Sequence, residues 1–109
     1  MYHILIRGYE LKETRQSLSE LWALLRNKEQ KLGLNKLSLT DRDIFQMILH
    51  LQSKNLNINL DFILKNCNHP RATFFRSLKK LRLNNFIEIS KDNDDARKSI
   101  IKISHQYLN

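Results

Sequence analysis

Six basic side chains, Lys65, Arg71, Arg76, Lys79, Lys80 and Arg82, fall between Asp61 and Glu88, and no acidic residue interrupts them. Guanidinium and ammonium groups form charge-assisted hydrogen bonds to carboxylates and phosphates. A run of them without counter-charges suits a polyanion, and the phosphate backbone of duplex DNA is the best match. A second charged cluster follows, Lys91-Asp92-Asn93-Asp94-Asp95-Ala96-Arg97-Lys98, in which both signs occur together. There Asp95 and Arg97 are two residues apart, close enough for a local ion pair.

Other chemistries find no support. The sequence has no glycine-rich phosphate loop, no serine elbow and no histidine beside a plausible nucleophile, so no enzyme is expected. His3, His50, His69 and His105 are scattered without metal-ligand spacing, and Cys67 is the single cysteine. Neither a disulfide nor a metal or cofactor is therefore expected.

The elements that must position these charges are legible in part. The chain has 109 residues, a formal net charge of +8, 41% hydrophobic and 28% charged residues, two glycines and one proline. These totals predict one mainly α-helical domain over residues 1–109. No apolar run reaches the roughly 18 residues of a membrane span, and no secretory leader opens the chain, so a cytoplasmic location is expected.

A first helix is predicted over residues 9–34. Ile4, Leu11, Leu18, Leu25 and Leu32 recur every seven residues, with Leu21 and Trp22 between. Such a stripe either packs on its own domain or forms a helix–helix contact between two copies. Tyr9 and Trp22 are expected to pack. Gly8 is expected to mark a break near the start and Gly33 the stop.

A second helix is expected to begin at an N-cap Thr40, with Asp43 completing a capping box and Leu39 and Ile44 a hydrophobic staple. Residues 55–59 alternate as a short strand would. A brief helix from Asp61 to about Asn66, a turn at 67–69 and a helix over 70–85 have helix-turn-helix spacing, with Pro70 at the first helical position.

In that last helix Phe74, Leu78 and Leu81 form the buried stripe. Ala72, Thr73, Arg76, Lys79 and Lys80 point away from it, while Phe75 lies at the edge. Alternation at 87–90 and 101–103 predicts two strands joined by the charged turn as a hairpin. Residues 105–109 are expected to be too short for another packed helix.

Helix, turn, basic helix and charged hairpin, in this order, resemble the winged helix-turn-helix of the MarR (multiple-antibiotic-resistance regulator) family of bacterial transcription regulators. The resemblance covers residues 34–104. It rests on Leu39-Thr40, on Thr73-Phe74-Phe75-Arg76-Ser77-Leu78-Lys79-Lys80-Leu81, on Phe86-Ile87 and on Asp95-Ala96-Arg97. The sequence departs from the family in three places. Asn85 stands where the family has glycine, the serine cap of the recognition helix is missing so that Asn68 or His69 must serve, and the two C-terminal helices are not present.

Together, the charge pattern and the resemblance imply sequence-specific binding of double-stranded DNA by a transcription regulator. Residues 35–104 would form the winged helix, with residues 70–85 in the major groove and the wing, residues 91–98, at the minor groove. Thr73 and Arg76 are expected at base edges, beside Ala72. Arg71, Lys79 and Lys80 are expected at phosphates. The resemblance makes Arg97 the minor-groove probe and Asp95 its partner, with Lys91 and Lys98 flanking them. It also implies a homodimer, here through the first helix, and without the C-terminal helices small-molecule effector sensing is not expected. A winged-helix protein adaptor and a replication-initiation or phage accessory factor are the alternatives.

Overall fold

Helix ends and one shared polar contact organise the described part of the chain. The computed structural model describes residues 8–54 and 58–107. Ile4, His3 and positions 55–57 of the expected strand lie outside the described residues. Two compact units result, Met1–Lys36 and Leu37–Asn109.

In the first unit, α1 spans Gly8–Lys31. It stops as expected at Gly33, whose φ of 78° lies in the left-handed region that a Cβ disfavours. A short 3-10 turn, Leu34–Lys36, follows. The seven-residue stripe is present but uncovered: Leu11, Leu18, Leu21 and Leu25 are all exposed, Leu18 by 67%. Tyr9 and Trp22 are exposed as well, which corrects the expectation that they pack. The Trp22 ring instead faces the Arg26 guanidinium at 5.9 Å, and Arg26 pairs with Glu29 one turn on.

In the second unit, α2 spans Leu39–Lys54 and starts two residues earlier than expected. Ser38, not Thr40, supplies the cap: its Oγ accepts the Asp41 amide at 3.2 Å, and its carbonyl accepts the Arg42 amide at 3.0 Å. The expected staple partner Leu39 is 60% exposed as a result.

β1 (Ile58–Asn59) leads directly into α3 (Leu60–Lys65), where the Asn59 side chain accepts the Phe62 amide at 2.8 Å. The next helix, α4, spans Arg71–Leu83. Pro70 is its N-cap rather than its first residue, and no side chain caps it, so neither Asn68 nor His69 takes the role expected of them.

The C-terminus of α4 closes in a Schellman motif. The Phe86 amide reaches back to the Leu81 carbonyl at 2.9 Å and the Asn85 amide to Arg82 at 3.0 Å. Asn85 adopts φ 64°, the left-handed conformation that the replaced glycine implied.

β2 (Ile87–Lys91) and β3 (Ser99–Ile103) form the predicted hairpin, with Ile87 opposite Ile103 and Ile89 opposite Ile101. β1 adds to the free edge of β3, giving an antiparallel sheet of order β1-β3-β2. Ile44, Phe45 and Ile48 of α2, Ile63 of α3, Phe74 and Leu81 of α4 and the inward isoleucines of the sheet make the core.

The segment after β3 forms only a short turn, yet it packs on the core. A 3-10 turn, His105–Tyr107, stacks the Tyr107 ring on Phe86 at 5.1 Å and edge-on to Phe45 at 5.8 Å. Among the described residues, no helix is long and apolar enough to cross a membrane.

Left-handed backbone costs a residue with a Cβ roughly 1–2 kcal/mol unless it is Asn, Asp or Gly. Asn85→Ala should therefore lower unfolding free energy by about 1 kcal/mol in urea titrations, while Asn85→Gly should match the parent. Equal stability of the alanine and glycine variants would contradict the observed cap.

Candidate nucleic-acid interface

The buried side of α4 consists of Phe74, Ser77, Leu78 and Leu81. With that side turned inward, ~100° per residue places Ala72, Arg76, Lys79 and Leu83 in one line on the opposite side. All four are exposed, Leu83 by 70%. Thr73 and Lys80 lie on the flank toward α2, and Arg71, Phe75 and Arg82 on the other flank. The Arg71 guanidinium sits 5.1 Å from the Phe75 ring centroid, and the same ring meets Phe74 edge-on. The edge position of Phe75 thus resolves as half-buried. Arg76 is exposed, with its Nη2 3.5 Å from Thr73 Oγ1.

Two residues of α4 are tied to α2 by a contact that sequence spacing does not reveal. Ser77 Oγ donates to Asp41 Oδ1 at 2.5 Å inside the core. The Lys80 ammonium stands 3.2 Å from the other oxygen, Oδ2, and forms an ion pair with it. Burial by itself would raise the Asp41 carboxyl. The Ser77 and Ser38 hydroxyls and the Lys80 ammonium outweigh burial and hold it below the usual carboxylate range. Asp41 also lies in the first turn of α2, where the helix dipole favours a negative charge. An open cleft of ≈ 470 Å³ above this contact is lined by Thr40, Asp41, Thr73, Arg76, Lys79 and Lys80.

A second tie holds the turn before α4. His69 Nε2 lies 2.7 Å from Asp43 Oδ2, and the His69 amide donates to Cys67 Sγ at 3.4 Å. Asp43 is thus engaged with the turn as well as being placed in the first turns of α2. Asp41, Asp43, His69 and Ser77 were all outside the sequence-derived site, because their partners are 26 or 36 positions away in the chain.

The wing tip has its own internal bonds. The Asp92 amide reaches the Lys98 carbonyl, and the Lys98 amide the Asp95 carbonyl, both at 3.0 Å. Asp95 accepts the Arg97 amide at 3.0 Å and the Arg97 Nε at 3.1 Å, with Nη2 at 3.4 Å from its second oxygen. The side-chain bond from Arg97, followed by its backbone amide, lowers the Asp95 carboxyl. The expected pair is therefore formed, with the Arg97 side chain 91% exposed. Lys91 and Lys98 are exposed beside it.

No protein-family model and no curated protein matches the sequence. Solved structures do match it. MarR aligns with a TM-score of 0.54 at 20% identity, covering 82% of this chain and 66% of MarR. A MarR-like transcription regulator from Bacillus cereus aligns at 0.55 and 12%, covering 91% and 69%. BpsR of Bordetella bronchiseptica, whose DNA binding is regulated by 6-hydroxynicotinic acid, aligns at 0.52 and 19%, covering 97% and 69%. The chain has the MarR-like winged-helix fold, and it spans about two thirds of the length of these three proteins.

The Asp41 contacts generate a stability test. Their contribution is complete above the unfolded carboxylate value of about 4 and is lost as pH falls through the lowered folded value. Asp41→Asn should accordingly show a shallower loss of stability on acidification. Asp41→Ala leaves Ser77 without its acceptor and should cost about 1–3 kcal/mol near neutral pH. Chemical unfolding of both variants between about pH 2 and 7 measures this, and parent-like curves throughout would show that the carboxylate holds nothing.

Proposed function

We propose that this winged helix binds double-stranded DNA sequence-specifically as a transcription regulator. One observation carries the proposal: Ala72, Arg76 and Lys79 stand in an exposed line on α4 while the opposite side is buried, and an Asp95–Arg97 pair with its guanidinium exposed occupies the tip of the neighbouring hairpin. The winged-helix fold of the MarR-like regulators supports the same reading.

In the proposed complex α4 enters the major groove. Arg76 is placed to bond guanine O6 and N7 bidentately, and the Thr73 hydroxyl and Ala72 methyl offer short contacts to neighbouring base edges. The contact to Thr73 gives Arg76 one preferred direction before binding. Arg71, on the flank of this line, and Lys79, within it, hold phosphates, which sets register without reading sequence. The uncapped first turn of α4 leaves backbone amides free to face the same phosphates. At the wing, Asp95 restrains Arg97, so less side-chain entropy is lost when the guanidinium enters the minor groove. Lys91 and Lys98 meet the adjoining backbone.

The exposed α1 stripe supports a homodimer through this helix. Leu11, Leu18 and Leu25 present the seven-residue spacing of a helix seam, and an uncovered apolar stripe of this kind marks an interaction surface. A two-fold protein would then favour a pseudo-palindromic site.

Selection from a random duplex pool, followed by sequencing, should enrich one motif, and binding to it should weaken steeply with added salt. Arg76→Ala should cost about 1–3 kcal/mol on that motif and relax its preference. Arg97→Ala should weaken binding with an unchanged thermal transition. An unenriched pool with salt-insensitive binding would favour a protein-adaptor role instead. For the dimer, Leu18→Glu combined with Leu25→Glu should convert the sedimenting species to a monomer, and a parent protein that already sediments as one would refute the seam.

A further inference from the structure

Lys79 and Lys80 are neighbours in sequence but not in environment. A helix turns ~100° between them, which leaves Lys79 on the exposed line and swings Lys80 toward α2. Among the described residues Lys79 has no carboxylate partner. The Lys80 ammonium is 3.2 Å from Asp41 Oδ2, and the Asp41 side chain is only 6% exposed. The other Asp41 oxygen is already bonded to Ser77.

We propose that Asp41 is a positioning residue that holds Lys80 as its internal counter-ion and withdraws it from phosphate contact, so that Lys79 alone of the two lysines grips the DNA backbone. The inference rests on the DNA-binding reading above and refines it, and it departs from the sequence expectation that both lysines contact phosphate.

A phosphate approaching Lys80 has two options. If it draws the ammonium away, it leaves an ionised carboxylate buried without its counter-charge, which is strongly unfavourable. If it approaches with the ion pair intact, it meets the Asp41 charge a few ångströms behind the ammonium, and the attraction largely cancels. Counter-ion release follows the charge that a protein brings to the phosphates. The Asp41–Lys80 pair brings none, whereas Lys79 brings a full unit. Lys80 therefore steers by excluding phosphate from the α2 flank, and backbone contact is biased to the line through Arg76 and Lys79. The cleft also contains Arg76, which contacts the neutral Thr73 hydroxyl, so its charge stays available.

The test compares salt dependence of binding to the selected duplex. Lys79→Met should flatten the slope of log K against log salt by about 1. Lys80→Met should leave the slope at the parent value. Asp41→Asn, whose amide oxygen still accepts from Ser77, should release Lys80 and steepen the slope by about 1. A merely structural role for Asp41 would not steepen it. Lys80→Met flattening the slope as much as Lys79→Met would overturn the inference while leaving DNA binding in place. If Asp41→Asn fails to fold, the two lysine variants decide the matter alone.

A DNA-free measurement separates the two levels. Brief acylation of the parent protein, read by mass spectrometry, should label Lys80 more slowly than Lys79. Equal labelling would overturn the ion-pair premise whether or not the chain binds DNA. Protected Lys80 in a chain that binds no duplex would overturn the proposed function, and this inference with it.

Discussion

The hydrogen bond from Ser77 to Asp41 is the contact on which the placement of α4 depends. Around it the core is built of isoleucine, leucine and phenylalanine, and apolar burial is non-directional. Such a core holds α4 against α2 without specifying its rotation. A buried carboxylate that needs its donor and its counter-charge does specify it, because a turn of one residue position would strand Asp41 among apolar neighbours. Lys80 supplies the compensating charge from the rim, and Ser38 ties the same first turn of α2 from the other side. The line of Ala72, Arg76 and Lys79 is exposed as a consequence of this locking.

The two ends of α4 are held by different means. At the start no side chain caps the helix, and the His69–Asp43 contact anchors the preceding turn to α2 instead. At the end the left-handed Asn85 and the Phe86 amide close the last turn and deliver Phe86 into an aromatic cluster with Phe45 and Tyr107. The hairpin begins in the next residue, so the direction of the wing is set by the same cap that stops the helix. A further bond, from the Ile103 amide to Gln52 Oε1 at 2.8 Å, fixes β3 to α2.

The first unit follows a different logic. Its long helix satisfies its own backbone but leaves leucines at seven-residue spacing in water. Helices of this kind draw most of their stability from packing of an apolar side. The Arg26–Glu29 pair and the Trp22–Arg26 contact are local side-chain interactions of modest strength, so the stripe remains the dominant unsatisfied feature of α1.

Local signals in the sequence determined the element order, the buried triplet of Phe74, Leu78 and Leu81, the hairpin, the stop at Gly33, the left-handed Asn85 and the Asp95–Arg97 pair. Each depends on residues within a few positions of one another, where periodicity, turn chemistry and short-range charge attraction act. Tertiary structure alone decided that Asp41 and Ser77 meet in the core, that Lys80 pairs with Asp41, that Asp43 holds His69 and that Tyr107 packs on Phe86. Those outcomes come from chain segments far apart in sequence being pressed together by the exclusion of apolar surface from water, and no spacing rule along one strand of residues encodes which polar groups that pressing will bring into register.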